Sequence, residues 1–322
     1  MKKLILMYLL ALLVMPTTML MANEGSETYP IEGRWDLTVN YEGRLVASWL
    51  EVRHTGINGY NGHFVWEGGS SRPISKVEFN NGKVAFHIPA QWEKTDMELI
   101  FDGILSEGKL SGTIVNTNGK SYTFVGERAP KLWRDKAPKW GKPIQLFNGK
   151  DLTGWQALGS PNQWVVENGV LKSPSSGVNI RTVNTFNDFK LHIEFKYPKG
   201  SNSGVYLRGR YEIQIEDNKG LEPMSIYLGG IYGFIDPWLN MAKDPDQWQS
   251  FDVELVGRMV TVVANGTTII YKQEIPGVTG GAIDSMEGAP GPIMMQGDHG
   301  PIEYRNIVIT PAVSYFTKTT SL

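Results

Sequence analysis

Residues 205–216, Val-Tyr-Leu-Arg-Gly-Arg-Tyr-Glu-Ile-Gln-Ile-Glu, alternate between apolar and polar side chains. The odd-numbered positions are apolar except for Gly209 and the hydroxyl of Tyr211, whereas the even-numbered positions carry two arginines, two glutamates, a glutamine and a tyrosine. Because successive side chains of a β-strand point to opposite faces, this pattern predicts one long strand with a core face and a polar face. The pattern therefore constrains this part of the chain to a sheet with one buried side.

The polar face of the predicted strand carries the chemical groups that hold a sugar. Guanidiniums and carboxylates supply paired donors and acceptors, and a phenol supplies a ring on which a sugar can stack. The alternative is that the arginines and glutamates pair with one another along an exposed strand. Both interpretations remain open from this stretch alone.

Turn signals recur through the rest of the chain. The sequence contains 36 glycines, many of them after asparagine and between runs rich in Val, Ile, Tyr and Trp, an arrangement typical of β-hairpins. No helical period of any length is present. We therefore expect an all-β chain, and 322 residues are enough for two cores.

Composition and the first residues limit the functional class and the compartment. With a formal net charge of −2, the chain lacks the excess of basic residues that is typical of nucleic-acid-binding proteins. The absence of cysteine excludes disulfides and thiolate chemistry. Residues 1–22 begin with Met-Lys-Lys, continue as an apolar run broken at Pro16, and end at Ala22, which predicts a secretory signal peptide. We expect a periplasmic or secreted protein with no integral membrane span after signal cleavage.

Two β-domains joined by a linker are expected. Residues 29–128 contain about seven short strands between turn signals, which predicts an accessory domain, either a lipocalin-like barrel or a small sandwich. Residues 129–142 are rich in Pro and Lys, as linkers are. Residues 143–312 predict a larger β-sandwich of roughly twelve strands.

Several segments of the second domain, in this order, closely resemble the 3-keto-disaccharide hydrolase family. They are Leu146–Trp155, Asn202–Arg208, Tyr211–Ile215, Ile231–Gly233, Asp298–Gly300 and Tyr304–Ile307. The resemblance covers residues 143–311 and implies a concanavalin A-like jelly-roll sandwich that binds sugar on its concave sheet. It also implies activity on glycosides already oxidised at C3 by a separate sugar 3-dehydrogenase.

A second resemblance involves the segment Glu212-Ile-Gln-Ile-Glu216. It is similar to the Glu-x-Asp-x-Glu strand of jelly-roll β-glucanases, which hydrolyse with two carboxylates, but Gln214 replaces the central acid. Residues four apart on a straight strand are separated by roughly 13 Å, whereas paired carboxylates act at about 5 to 9.5 Å. A conventional β-glucanase mechanism is therefore disfavoured.

Elimination from a 3-keto sugar needs three groups. The ketone acidifies the C2 hydrogen, so a base can remove it while the C1 substituent departs, with or without later addition of water. The site must supply that base, a donor to the keto oxygen, and an acid for the leaving oxygen. We assign His299 as the base, Glu212 as a general acid or base, and Arg208 as the donor. The alternatives are a turn histidine and an ion pair of Arg208 with a nearby glutamate.

Other side chains of the second domain are expected to contact the sugar. They are Asn202, Tyr206, Gln214, Glu216, Tyr232, Trp238 and Asp298. His192 is expected to be structural. No spacing predicts a metal site, and no cofactor is expected. A lectin-like binding protein without catalysis remains an alternative function, because sandwiches of this architecture host many such proteins.

Overall fold

The computed structural model describes residues 30–315, and all regular structure in that range is β. The strands, numbered in chain order, are β1 Gly33–Tyr41, β2 Arg44–Thr55, β3 Gly59–Val65, β4 Arg72–Ile74, β5 Glu78–Asn80, β6 Lys83–Ile88, β7 Leu99–Ser106, β8 Lys109–Val115, β9 Ser121–Arg128, β10 Pro138–Trp140, β11 Ile144–Gln145, β12 Trp155–Ala157, β13 Val165–Glu167, β14 Val170–Ser173, β15 Ile180–Thr182, β16 Phe189–Lys196, β17 Asn202–Leu207, β18 Tyr211–Glu216, β19 Gln249–Val256, β20 Met259–Ala264, β21 Thr267–Glu274, β22 Met294–Met295 and β23 Ile302–Tyr315. Within this range no helix is long and apolar enough to cross a membrane. The predicted signal peptide lies outside the described residues.

The first nine strands form one antiparallel sheet in the order β4-β3-β2-β1-β9-β8-β7-β6-β5. This is a meander whose last strand pairs with its first, so the sheet curls into a barrel that is interrupted between β4 and β5. Its interior is rich in aromatic rings, and Phe86 and Phe101 stack there with centroids 4.4 Å apart. The sheet has nine strands where the sequence predicts about seven, and its two edge strands, β4 and β5, are only three residues long each.

The remaining strands form two facing sheets. The larger has the order β13-β14-β23-β16-β19-β20-β21, with β10 and β11 also paired to β23, and the smaller has the order β12-β15-β22-β17-β18. Apolar side chains from both sheets bury one another, among them Ile193 and Phe251 from the larger sheet and Val205 and Ile213 from the smaller. The predicted fold class is confirmed: a C-terminal β-sandwich follows a smaller antiparallel barrel.

The single long strand predicted for residues 205–216 is wrong, because this stretch folds as the hairpin of β17 and β18. The chain reverses at Arg208 and Gly209, whose φ angles of +53° and +67° are those of a tight hairpin turn. Leu207 pairs with Tyr211 across the turn, so the alternation continues in phase on the second strand. The predicted division into a core face and a polar face therefore holds for both strands but not for the turn.

The barrel packs directly on the sandwich, and residues 31–315 belong to one compact unit. Trp49 of the barrel meets Phe234 edge-on, with centroids 5.1 Å apart. Barrel residues 67–71, here called the barrel loop, run against the sandwich backbone, where the Gly281 N–H donates to the Glu67 carbonyl at 2.9 Å. A Cβ on Gly280 would lie only 2.3 Å from the Gly69 carbonyl oxygen, so glycine is required for this approach. These contacts place the barrel edge beside the β17–β18 hairpin.

Candidate active site

A cleft of about 790 Å³ lies between the barrel and the β17–β18 hairpin. The sandwich side of the cleft is lined by Asn202, Gln214, Glu216, Ile226, Tyr227, Tyr232 and His299. The barrel side is lined by Tyr41, Trp66, Glu67, Gly68, Gly69, Ser70, Arg72, Trp92, Glu93, Asn116 and Thr117. The cleft therefore contains five of the predicted site residues, Asn202, Gln214, Glu216, Tyr232 and His299.

Hairpin register brings the polar residues of two strands onto one face. Asn202 lies opposite Glu216, Gly204 opposite Gln214, and Tyr206 opposite Glu212. Gly204 has no side chain at a position where a Cβ would lie 2.1 Å from Oε1 of Glu212. The carboxyl of Glu212 therefore folds into the space that Gly204 leaves on the cleft side of β17.

Glu212 is buried, with 3% of its surface exposed, and burial raises the pKa of its carboxyl to about 8 despite a hydrogen bond with Tyr206 and the nearby charge of His299. Tyr206 Oη lies 2.8 Å from Oε2 of Glu212 and 2.9 Å from the carbonyl oxygen of Gly280. A phenol has one proton, so both contacts are hydrogen bonds when Glu212 donates to Tyr206 and Tyr206 donates to Gly280. The two contacts of the Tyr206 hydroxyl and the raised pKa of Glu212 both indicate that this carboxyl is neutral at pH 7.

His299 reaches the cleft and is oriented by its neighbour in the chain. Its Nδ1 lies 2.7 Å from Oδ1 of Asp298, and this hydrogen bond, together with the charge of Asp298, outweighs burial and raises the pKa of the imidazole. Since Nδ1 is engaged by the carboxylate, Nε2 is the nitrogen available to a bound molecule. Asp298 does not itself line the cleft, so it acts on the site through His299.

The structure disagrees with the roles predicted for Arg208, Tyr206 and Trp238. Arg208 is wholly buried, and its Nη2 donates to the Tyr211 hydroxyl at 2.9 Å and to the Gly257 carbonyl at 3.0 Å. It stands in the turn, beyond the last paired residues of the hairpin, so its side chain is not held on the cleft face. The predicted contact of Arg208 with substrate is therefore wrong, and so is its alternative pairing with Glu212 or Glu216.

Tyr206 and Trp238 also differ from their predicted roles as surfaces for a sugar. Tyr206 is buried and bonds to Glu212, so its ring is not available for stacking. The backbone N–H of Trp238 donates to the carbonyl of Ile269 at 2.8 Å, which places this residue at β21 on the larger sheet. Its side chain is 58% exposed there and does not line the cleft.

Two histidines of the second domain occupy comparable settings in different places. Like His299, His192 has its Nδ1 2.7 Å from an aspartate Oδ1, that of Asp252. It belongs to β16 on the larger sheet and does not line the cleft. Within residues 30–315, no group of three or more His, Asp and Glu side chains is arranged to hold a metal ion.

A second cavity of about 800 Å³ lies along residues 128–133. Its lining includes Arg34, which pairs with Glu51 at 3.1 Å and with Glu274 at 2.6 Å. These charges are already engaged with one another, whereas His299 and the hairpin face of the first cleft present polar groups to a ligand. The first cleft is therefore the candidate active site.

The barrel side of this cleft was missed by sequence reasoning. Trp92 and Arg72 lie more than a hundred residues before the hairpin, in loops and short strands without a recognisable motif. The only local signal is Trp92 itself, a large aromatic residue among polar neighbours in the loop between β6 and β7. Its position in the same cleft as His299 depends on how the barrel packs on the sandwich.

Residues 142–310 match the family model of the 3-keto-alpha-glucoside-1,2-lyase-like domain. A curated relative, a 3-keto-disaccharide hydrolase of Bacteroides thetaiotaomicron, is 32% identical over 98 residues, a span that covers 26% of this chain and 33% of the relative. The match thus spans about one third of that relative's length.

Solved structures with similar chains were also found. A protein of Parabacteroides distasonis described as a candidate glycosyl hydrolase is 27% identical with a TM-score of 0.44, covering 57% of this chain and 92% of that one. The β-glucanase of Bacillus licheniformis is 14% identical with a TM-score of 0.35, and the alignment covers 55% of this chain and 99% of the glucanase chain. The family match to residues 142–310 spans more than half of the chain and contains every sandwich residue of the cleft. This chain belongs to the family of 3-keto-alpha-glucoside-1,2-lyase-like domains.

Proposed function

We propose that this protein cleaves the glycosidic bond of 3-keto-glycosides, 3-keto-disaccharides included, by C2 proton abstraction and elimination at C1. The observation that carries the proposal is the combination of His299, which lines the cleft, and Glu212, a buried neutral carboxyl that does not itself line the cleft but interacts electrostatically with His299. Family membership and the name of the curated relative support the substrate class.

His299 is the proposed base. Its Nε2 accepts the C2 proton, the electron pair of that C–H bond forms the C1–C2 double bond, and the bond from C1 to the leaving oxygen breaks. Asp298, 2.7 Å from Nδ1, stabilises the imidazolium that results. Addition of water across the double bond then gives the free 3-keto sugar, whereas release without water gives an unsaturated ketone.

Glu212 is the proposed acid. At neutral pH it holds a proton on the cleft side of β17, at the gap left by Gly204. Transfer of this proton to the departing oxygen leaves a carboxylate, which Tyr206 then stabilises by donating to Oε2 at 2.8 Å. One phenol thus accepts from the acid before proton transfer and donates to it afterwards.

The donor for the keto oxygen must come from residues other than Arg208. Asn202, Gln214 and Tyr232 line the cleft on the same side as His299 and carry amide or phenol donors. We assign the polarising hydrogen bond to this group. The lining carboxylate Glu216 is suited to accept from sugar hydroxyls.

The substrate chemistry requires a preceding oxidation, which we assign to a separate sugar 3-dehydrogenase. Without a ketone at C3, the C2 hydrogen is not acidic enough for a histidine base. We further propose that cleavage takes place after export, in the periplasm or outside the cell.

The test is incubation of the purified protein with a 3-keto-glucoside and, separately, with an unoxidised glucan. We expect cleavage of the 3-keto-glucoside alone. In D2O the hydrated product should carry deuterium at C2, and substrate deuterated at C2 should react more slowly when proton abstraction limits the rate. Sugar binding without cleavage of either compound would instead indicate a lectin-like protein.

A pair of histidine variants tests the assignment of the base. His299→Asn should suppress both cleavage and deuterium incorporation. His192→Asn removes an imidazole with the same 2.7 Å aspartate contact, on the larger sheet, and should leave both unchanged. Cleavage that retains the C2 hydrogen and survives the loss of His299 would rule out the elimination mechanism.

A further inference from the structure

Trp92 forms an aromatic platform on the barrel wall of the cleft. It lies in the loop between β6 and β7, lines the cleft, and keeps 54% of its surface exposed. The guanidinium of Arg72 covers part of the ring, with Cζ 3.9 Å from the ring centroid. An indole that is supported in this way and still largely open has the form of a stacking surface for a sugar ring.

Buried charge holds this platform in place. Arg72 is only 3% exposed and forms an ion pair with Glu93. Burial raises the pKa of Glu93, but hydrogen bonds from Arg72 and the backbone outweigh it and lower this pKa to about 2. The second carboxylate oxygen accepts from the backbone N–H groups of Gln91 at 3.0 Å and Trp92 at 3.2 Å. The loop is thus folded around a carboxylate, and the indole has a defined position.

The platform is connected to the catalytic face through the barrel loop. A Cβ on Gly69 would lie 2.9 Å from Cζ2 of Trp92, so this loop packs against the edge of the indole. On its other side the loop touches Gly280, whose carbonyl accepts from Tyr206, the partner of Glu212. The two walls of the cleft are therefore fixed relative to each other by a short series of direct contacts.

We propose that Trp92 binds the second sugar ring of a disaccharide substrate, so that the barrel supplies the subsite for the leaving group. The proposed function places the keto sugar against His299 and the hairpin, which leaves the opposite wall for the remainder of the substrate. A volume of about 790 Å³ exceeds the need of one pyranose and falls within the range of about 300–1,000 Å³ for small-molecule sites. The charges of Arg72 and Glu93 neutralise each other, which favours an uncharged sugar over an ionic group. The assignment of Trp92 to the second sugar ring rests on the proposed function, which places the keto sugar at His299.

A kinetic comparison tests the subsite. With a 3-keto-disaccharide, Trp92→Ala should lower kcat/KM by about tenfold, the loss expected for one stacking contact. With methyl 3-keto-glucoside, whose leaving group is methanol, kcat/KM should not change. Trp133→Ala is the matched control, because Trp133 is 68% exposed and lies outside the cleft. An equal loss on both substrates, or no loss on either, would overturn the subsite.

A binding measurement separates the subsite from the catalytic proposal. Calorimetric titration with the unoxidised disaccharide requires no ketone and no turnover. We expect Trp92→Ala to weaken this binding by about tenfold while glucose binding is unchanged. If the protein cleaves neither 3-keto substrate yet disaccharide binding depends on Trp92, the proposed function fails and the subsite stands. If the wild type binds the disaccharide no more tightly than glucose, the subsite is refuted.

Discussion

At the scale of single residues, the protonation of Glu212 follows from a missing side chain one strand away. Gly204 leaves room for the carboxyl to lie across β17, and a Cβ at that position would lie 2.1 Å from Oε1 of Glu212, so any larger residue would displace the carboxyl. There the carboxyl is removed from water, and its first hydrogen-bond partner is the neutral phenol of Tyr206. Desolvation therefore outweighs the other influences on its pKa.

The pH dependence of cleavage should have two limbs. Activity requires a neutral His299, so it rises as pH passes the raised pKa of that imidazole. Activity also requires a protonated Glu212, so it falls as pH passes about 8. Measurements of kcat/KM against pH should show Asp298→Asn shifting the acid limb to lower pH, because removal of the carboxylate lowers the His299 pKa. An acid limb that stays in place would contradict the role given to Asp298.

The leaving group provides an independent test of Glu212. Glu212→Gln keeps the shape of the side chain but has no proton to transfer, so substrates with poor leaving groups should lose most activity. A series of 3-keto-glucosides whose leaving alcohols differ in acidity would measure this dependence. The same variant should lack the alkaline limb of the pH profile. A uniform loss across the series would indicate that Glu212 only supports the structure.

At the scale of elements, the hairpin turn decides which residues reach the cleft. Arg208 and Gly209 reverse the chain with positive φ angles, and the arginine side chain is anchored under the turn by the hydroxyl of Tyr211. Tyr211 in turn donates to Glu287 at 2.6 Å. Buried polar contacts therefore fix the hairpin on the side away from the cleft, while the cleft face stays available to substrate.

Substitution of the turn glycine should show how tightly the hairpin is held. Gly209→Ala combines a left-handed backbone with a Cβ placed 2.6 Å from Cδ1 of Ile283, and should lower the free energy of unfolding by about 1–3 kcal/mol. Gly266→Ala is the matched control, since Gly266 has φ +83° but nothing within 4 Å of the added atom. Urea unfolding of both variants should show the larger loss for Gly209→Ala. Equal losses would mean that the contact with Ile283 is unimportant.

At the scale of the whole molecule, charged groups are buried where the barrel meets the sandwich. Asp36 of β1 lies near Glu287, Arg258 and Arg210 of the sandwich. Burial, followed by the negative charge of Glu287, raises the pKa of Asp36 to about 8, although the two arginines act in the opposite direction. Folding thus binds a proton at this junction.

The stability of the two-domain unit should therefore depend on pH through Asp36. The pKa of Asp36 is raised from 3.8 to about 8, so its contribution to stability is complete below about pH 3.8 and is lost as pH rises through about 8. Asp36→Asn removes this dependence, so the free energy of unfolding of the variant should increase relative to that of the wild type as pH rises. Urea unfolding of both proteins from about pH 5 to about pH 9 measures the difference. Asp102→Asn, at an exposed barrel position, is the control. A difference that does not change with pH would contradict the prediction.

Local pattern alone determined the all-β class, the two faces of the hairpin and the residues that its cleft face presents. Alternation assigns a side chain to one face whether the strand is single or folded back, provided that the turn keeps the phase, as it does between Leu207 and Tyr211. The turn itself was missed because arginine has no preference for positive φ, unlike the asparagines of the Asn81-Gly82 and Asn168-Gly169 turns.

Tertiary structure alone decided the burial of Arg208, the neutral state of Glu212 and the place of Trp92 in the cleft. Each depends on atoms distant in the chain: the Gly257 carbonyl beside Arg208, the packing that removes water from Glu212, and the barrel loop that supports Trp92. The alternation of apolar and polar residues indicates only to which face of its own strand a side chain points. The solvent and partners that the side chain meets are determined by the packing of one sheet on another, and these set its pKa and its role.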